Sequence, residues 1–142
     1  MASYFNLTLD TTAPSGLSIT LNDSDIYTTT TAVTLAVSLN DENTNGYQMK
    51  VWGTAGVAEE NAATWETYQK SSSITLPTGD GLKTVYVKVR DAVGNETTAA
   101  SDTITLDTSV PTVSVTGPDK SVISEVEGFN TAIINFMSDV VF

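Results

Sequence analysis

The chain of 142 residues contains no cysteine and no histidine, and only six of its side chains are lysine or arginine. Without cysteine it has neither disulfides nor thiolate nucleophiles. Without histidine it has no serine–histidine triad and few ways to hold zinc. Few catalytic chemistries survive both absences, so the composition predicts a protein that is not an enzyme.

The six basic side chains stand against 17 acidic ones, so that the net charge is −11. Such a surface repels phosphate, which argues against nucleic-acid binding and against anionic membranes. No run approaches the ~20 apolar residues that a spanning helix needs, so we expect no membrane insertion. The first residues, MASYFN, lack the basic and apolar stretches of a secretion signal. Either a secretion signal is missing from this sequence, or the protein reaches the outside by another route, as a virion released by lysis does.

A repeated segment is the most informative feature that is present. Residues 5–14 read FNLTLDTTAP and residues 102–111 read DTITLDTSVP, so that Asp10 and Asp107 stand 97 residues apart. Each copy is an alternating strand followed by a proline, which cannot continue a strand ladder. The repeat predicts an anchoring strand at 1–9 and a complete domain at 10–106. Residues 107–142 are then a linker and the first strands of a second, incomplete domain.

The middle of the chain shows the period-2 alternation of half-buried strands, and the chain as a whole is rich in threonine, with 24 residues. The pattern predicts strands at 16–21, 32–39, 47–52, 72–76, 82–90 and 98–106. Beyond the proline, it predicts further strands at 112–116 and 131–136. Residues 53–70 fit either one helical turn or an irregular crossover. The fold class predicted is all-β, an antiparallel sandwich.

Several segments resemble the immunoglobulin-like repeats of bacterial surface proteins, extracellular glycan-active enzymes and tailed-phage virion proteins. These segments are DTTAP (10–14), VTL (33–35), ATWETY (63–68), GDGLKTVYVKVRDAVGN (79–95) and ITLD (104–107). The resemblance covers residues 5–111 and implies an immunoglobulin-like sandwich with no catalytic residues. The opening, which runs from a methionine directly into LDTTAP, resembles the start of a phage structural protein.

The N-terminal segment is a candidate docking strand, because it matches the last strand of a domain that is not seen before it. We expect Tyr4, Phe5, Leu7 and Leu9 to add to the edge of a partner's sheet through main-chain hydrogen bonds. The alternative is that the segment folds back as an edge strand of its own domain.

Acidic and amide side chains collect at the ends of the predicted sandwich. The start of the first strand and two loops share one end, which gathers Asp10, Asp41, Asp91 and Asn95. Clustered oxygens of this kind suit Ca²⁺. The alternative is that these residues occupy turns, where their side chains bond the local backbone.

Three aromatic side chains, Trp52, Trp65 and Tyr68, are candidates for glycan contact. The alternative is core packing, because a buried tryptophan on the third strand is common in immunoglobulin-like sandwiches.

The function predicted is that of a non-enzymatic virion component of a phage, such as a capsid decoration, fibre or baseplate protein. It would dock on other virion proteins by its N-terminus, project its domains, and touch cell-surface glycans in many copies. The alternative is a repeat of a bacterial cell-surface adhesin or a spacer in a secreted glycan-active enzyme.

Overall fold

The structure, a computed structural model, describes residues 8–116 and 135–138. The chain divides into two compact units, residues 1–108 and 109–142. No helix among the described residues is long and apolar enough to cross a membrane. The predicted docking residues Tyr4, Phe5 and Leu7 lie outside the described residues.

Short strands account for the regular structure of both units. The strands of the first unit are β1 (Ser18–Leu21), β2 (Tyr27–Thr28), β3 (Ala32–Ser38), β4 (Gln48–Trp52), β5 (Glu66–Thr67), β6 (Ser71–Thr75), β7 (Gly81–Arg90) and β8 (Ala100–Leu106). In the second unit β9 (Val113–Thr116) pairs antiparallel with β10 (Asn135–Ser138). The six strands predicted between residues 16 and 106 are present with ends shifted by one or two residues, whereas β2 and β5 were not predicted.

The first unit is a sandwich of two sheets. One sheet has the order β1-β3-β6 and the other has the order β2-β8-β7-β4-β5. All pairs are antiparallel except β2 with β8. In an immunoglobulin-like sandwich, β1 and β2 are the two halves of strand A, β3 and β6 are B and E, and β4, β7 and β8 are C, F and G. The predicted fold class is confirmed: the chain is all-β and carries an immunoglobulin-like sandwich.

The core lies between the sheets because each sheet turns one row of alternating side chains inward. The buried cluster draws on both sheets: Ile19, Leu21, Val33, Leu35, Val37, Met49, Leu76, Val85, Val87, Val89 and Ile104. A hydrogen bond of 2.8 Å from the Leu21 N–H to Asp102 Oδ2 joins β1 to β8 of the opposite sheet. The two sheets are therefore held by apolar contact and by a polar link.

The chain changes sheets between β1 and β2 through a left-handed turn. Asn22, Asp23 and Ser24 have φ values of 45°, 56° and 75°. Asparagine and aspartate tolerate this region better than other side chains. The Asn22 side chain also accepts a 2.8 Å hydrogen bond from the Thr34 N–H. This contact holds the turn against β3.

The crossover between β4 and β6 contains both a helical turn and a short strand. Gly53 begins it with φ +82°, and a Cβ there would lie 2.1 Å from the Thr84 carbonyl oxygen. Only glycine fits such an approach. A single 3-10 turn at Glu60–Ala62 and the strand β5 follow. The crossover is thus folded along the sheet that ends in β5.

Candidate functional site

The structure describes the last two residues, Thr8 and Leu9, of the predicted docking segment 1–9. Leu9 is 84% exposed. Its counterpart 97 positions later, Leu106, lies at the end of β8 and is 1% exposed. The same sequence position is therefore a core residue in one copy of the repeat and a solvent-exposed residue in the other. The docking role of Leu9 stays a prediction, but its side chain is available for it.

The linker that enters the sandwich is held by an amide side chain from the loop between β7 and β8. Asn95 Nδ2 donates to the carbonyl oxygens of Asp10 at 3.2 Å and Thr12 at 3.4 Å. The Thr12 N–H donates back to Asp10 Oδ1 at 3.0 Å. Residues 10–12 therefore form a turn that is attached to the sandwich.

Asp91 organises the loop that carries Asn95. Its carboxylate is buried and accepts from the N–H groups of Val93, Gly94 and Asn95 at 2.7 to 2.9 Å. It also accepts from Asn95 Nδ2 at 2.7 Å. Burial raises the pKa of Asp91, but these hydrogen bonds outweigh burial and leave the pKa below its usual value. Asp91 thus positions the Asn95 side-chain amide, which is hydrogen-bonded to the entering linker.

Asp41 fastens the residues that lead into β1. Its Oδ1 accepts from the N–H of Ser15 at 3.1 Å and from the Ser15 hydroxyl at 2.9 Å, while Oδ2 accepts from the Tyr47 hydroxyl at 2.9 Å. The hydrogen bonds from Tyr47 and Ser15 lower the pKa of Asp41. The same bond to Asp41, followed by burial, raises the pKa of Tyr47 to about 12. The pair is therefore most stable with the phenol neutral and the carboxylate ionised.

The predicted calcium residues lie at one end of the sandwich. Asp10, Asp41 and Asp91 all act electrostatically on Tyr47, and Asn95 bonds both Asp10 and Asp91. The described residues contain no group of three or more acidic side chains placed to hold a metal ion. Asp41 and Asp91 direct their oxygens at protein donors, as the turn alternative requires. Calcium binding at this end stays a prediction.

The linker that leaves the sandwich is also held by a carboxylate. Thr108 donates from its N–H and from its hydroxyl to Asp80 Oδ1, at 2.9 Å and 2.7 Å. Asp80 lies before β7, at the opposite end of that strand from Asp91. A pattern that pairs it with Thr108 across 28 positions is not visible in the sequence.

Trp52 is buried, as the core-packing alternative expects, but it lies outside the cluster between the sheets. Met49 and Val51 face the core, so Trp52 faces outward from β4, where it lies opposite Tyr86. The two rings stack with centroids 5.4 Å apart and planes 8° apart. Trp52 is only 7% exposed and Tyr86 is 36% exposed. A ligand on this outer face would therefore reach Tyr86 more readily than Trp52.

The other two aromatic candidates occupy different environments. Tyr68 is half-buried against the core, donates its hydroxyl to the Val37 carbonyl at 3.1 Å, and has a pKa raised by burial. Trp65 is half-buried on the outer face, with Lys50 Nζ at 4.9 Å and Arg90 Cζ at 4.3 Å from its ring centre. These are cation–π contacts. Only Trp65 and Trp52 share a face, and their glycan contact stays a prediction.

A charged network beside these rings was not predicted. The register of β4 and β7 places Lys50 opposite Lys88, an unfavourable pair of like charges. Glu60, from the crossover, accepts from both ammonium groups at 2.7 Å. The bond from Lys50, then that from Lys88, lowers the pKa of Glu60, and the bond to Glu60 raises the pKa of Lys88. Glu60 thereby attaches the crossover to the outer face.

A groove of about 290 Å³ lies between the sheets, beside β6. Its lining includes Met49 and Val51 from β4, Val57 from the crossover, and Ser72 and Ile74 from β6. Ser72 Oγ is buried and has no hydrogen-bond partner among the described residues.

No protein-family model matches the chain, and no curated protein matches it. Among solved structures, it is similar to the PKD domain of an M14-like peptidase from a Thermoplasmatales archaeon. The identity is 16%, the match covers 68% of this chain and 98% of that one, and the TM-score is 0.49. The assignment of an immunoglobulin-like sandwich follows from the strand order of the chain itself.

Proposed function

We propose that the chain is a non-enzymatic structural module of a phage particle that docks through its N-terminal segment and carries its sandwich as a spacer. The observation that carries this proposal is the contrast between Leu9 and Leu106. Leu106 fills the core, whereas its counterpart Leu9 is exposed to solvent. An exposed alternating strand is a template for pairing, so a partner's sheet is its natural cover.

The spacer role is supported by the way both linkers are held. Asn95 is hydrogen-bonded to Asp10 and Thr12 of the entering linker. Asp80 is hydrogen-bonded to Thr108 of the leaving linker. Each contact limits how far the linker segment that it binds can move relative to the sandwich. A domain held at both ends transmits position and force better than one on free linkers.

The virion setting is supported by the resemblance of the repeat to phage structural proteins and by the acidic charge, which disfavours nucleic acid and anionic membranes as partners. The second candidate setting is a bacterial cell surface, in an adhesin or as a spacer beside a secreted glycanase. Fractionation followed by mass spectrometry decides between them. The proposal requires the protein in purified particles and is contradicted if it is found only in the bacterial envelope.

Docking is tested by deleting residues 1–9 and measuring incorporation into the parent particle. We expect incorporation to be lost while the melting temperature of the sandwich is unchanged, because residues 1–9 contribute none of the buried core residues described. A truncated chain that still incorporates at full occupancy would refute the docking role.

Cell-surface glycans are the proposed ligands of the outer face, bound weakly by each copy and gaining strength from many copies. Tyr86→Ser removes the more exposed ring of the stacked pair. Tyr27→Ser is the matched control, because Tyr27 is 68% exposed on the same sheet but belongs to β2. We expect binding of whole particles to host cells to fall with the first change only. Equal binding by both variants and the unaltered protein would refute the contact.

A further inference from the structure

We infer that copies of this chain bind one another by strand addition, in which residues 4–9 of one copy pair with the free edge of β6 in another. The inference rests on the proposed function, that the N-terminal segment docks on a sheet. It goes further by naming the partner as a second copy of this chain and the acceptor as β6.

The direction of the main-chain groups in β6 follows from its register with β3. The Val37 N–H donates to the Lys70 carbonyl at 2.9 Å, and the Leu76 N–H donates to the Thr31 carbonyl at 2.8 Å. In an antiparallel pair such bonded positions recur every second residue. The even-numbered residues of β6 therefore turn their N–H and C=O groups toward β3, and the odd-numbered residues turn theirs away from it.

The odd-numbered residues form an edge, because β6 is the last strand of its sheet. Within the described residues, one backbone hydrogen bond reaches this edge, from the Ala55 N–H to the Thr75 carbonyl at 2.8 Å. Ser71 and Ser73 thus present main-chain groups with no backbone partner among the described residues. Sheet edges of this kind accept an added strand.

The groove beside β6 is suited to the side chains of an added strand. Ser72 and Ile74 face inward on β6, and Met49 and Val51 face them from the other sheet. At about 290 Å³ the groove has room for roughly ten waters of about 30 Å³ each. A strand laid along β6 would direct alternate side chains into this space.

The N-terminal segment has the matching pattern. Phe5, Leu7 and Leu9 alternate with Asn6 and Thr8, and residues 1–9 contain no charged side chain. In the second copy of the repeat, the positions equivalent to Leu7 and Leu9 are buried strand residues. An uncharged segment also adds nothing to the repulsion between chains of net charge −11. The chain therefore contains a segment with the sequence pattern of a strand and, among the described residues, a sheet edge that no further strand pairs with.

The association is heterologous, because donor and acceptor are different surfaces. Each copy that donates its own segment still has a free β6, and each copy that accepts still has a free segment. Such contacts give rings or open rows rather than a closed dimer. The average mass should therefore exceed twice the 15.0 kDa of one chain as concentration rises.

The test measures the mass of the full chain in solution by sedimentation from about 1 μM to about 1 mM, the span in which weak contacts saturate. Leu9→Asp places a charge on the inserted face of the donor strand and should leave a monomer. Thr8→Asp adds the same charge on the opposite face of the same strand and should associate as the unaltered chain does. A monomer at all concentrations, or equal association of the two variants, would overturn the inference.

The acceptor is tested with Ser73→Pro, which removes an edge N–H that β3 does not use and is tolerated on edge strands. If that variant fails to fold, Ser72→Leu fills the groove instead and leaves the ladder intact. Each acceptor variant should be monomeric alone. Mixed with Leu9→Asp, it should form a one-to-one dimer, because one chain keeps the donor and the other keeps the acceptor. A mixture that stays monomeric while the unaltered chain associates would overturn the assignment of β6.

The two proposals fail in different experiments. If the truncated chain does not enter particles but the full chain is monomeric, docking stands and self-association is wrong. If the truncated chain enters particles at full occupancy, docking on the particle is wrong, and the sedimentation of the full chain and its variants still decides self-association.

Discussion

Replacing Asp91 with alanine should destabilise the sandwich strongly, because one carboxylate organises the whole loop between β7 and β8. It accepts three backbone N–H groups and the Asn95 amide at distances of 2.7 to 2.9 Å. The loop also positions the amide that holds the entering linker. The alanine variant therefore loses the loop geometry and, through Asn95, the attachment of Asp10.

The expected loss in the free energy of unfolding follows from the number of hydrogen bonds to Asp91 and from the solvent exposure of their donors. Hydrogen bonds to a charged group contribute about 1.5–3 kcal/mol each, but they are not additive when they share an acceptor. Val93 and Gly94 lie in an exposed loop, so water replaces part of what is lost. We expect a total of about 2–3 kcal/mol. For a domain of this size that lowers the melting temperature by about 10–20 °C.

The assay is urea and thermal unfolding of the alanine variant, with Asp91→Asn as an intermediate and Asp25→Ala as the matched control. The asparagine keeps an acceptor for the backbone but loses the charge, so we expect about half the effect. No hydrogen bond reaches the Asp25 carboxylate within the described residues, so its loss should change stability by under about 0.5 kcal/mol. The reasoning is wrong if Asp91→Ala and Asp25→Ala cost the same.

Four further outcomes can be measured. Because the pKa of Tyr47 is raised to about 12, its bond to Asp41 should stabilise the fold below pH ~10 and lose that effect as the pH rises toward 12. Tyr47→Phe should remove this alkaline step from urea midpoints. Because the pKa values of Asp41 and Asp91 are lowered, stability should hold above pH ~4 and fall on further acidification. Asp80→Ala should cost under about 1 kcal/mol yet speed amide exchange at Thr108, and unaltered exchange would contradict this. If calcium binds at the predicted end of the sandwich, EDTA should lower the melting temperature, and an unchanged melting curve would contradict the calcium prediction.

The strands with strict alternation were predictable because a single-residue slip would turn every apolar side chain to solvent. The alternation of Val33, Leu35 and Val37 predicted β3, and the alternating valines predicted β7. A strand of two residues is too short to show alternation, so β2 and β5 were not predicted. Alternation also gives no information on the left-handed turn at Asn22–Ser24, whose φ values depend on packing against β3.

Burial of Trp52 was the alternative expected from the fold family, and Trp52 is indeed only 7% exposed. Because Met49 and Val51 face the core, alternation places Trp52 on the outer face of β4, where it stacks on Tyr86. The sequence therefore indicated that this ring is buried, but not which neighbour covers it. Glu60 was missed because its role depends on the register that brings Lys50 opposite Lys88.

If the sandwich acts as the proposed spacer, the positions of the two linker contacts determine the direction in which it is pulled. Entry is fixed through Asn95 at one end of β7 and β8, and exit through Asp80 at the other, about 30 Å apart for a strand of ten residues. A pull on both linkers therefore runs along the strands. It loads the parallel pair β2–β8 in shear, so the bonds from Thr105 to Ile26 and from Asp107 to Thr28 are strained together rather than one at a time. In the proposed spacer, the two-residue strand β2 therefore resists a pull along the strands with two hydrogen bonds that must break together.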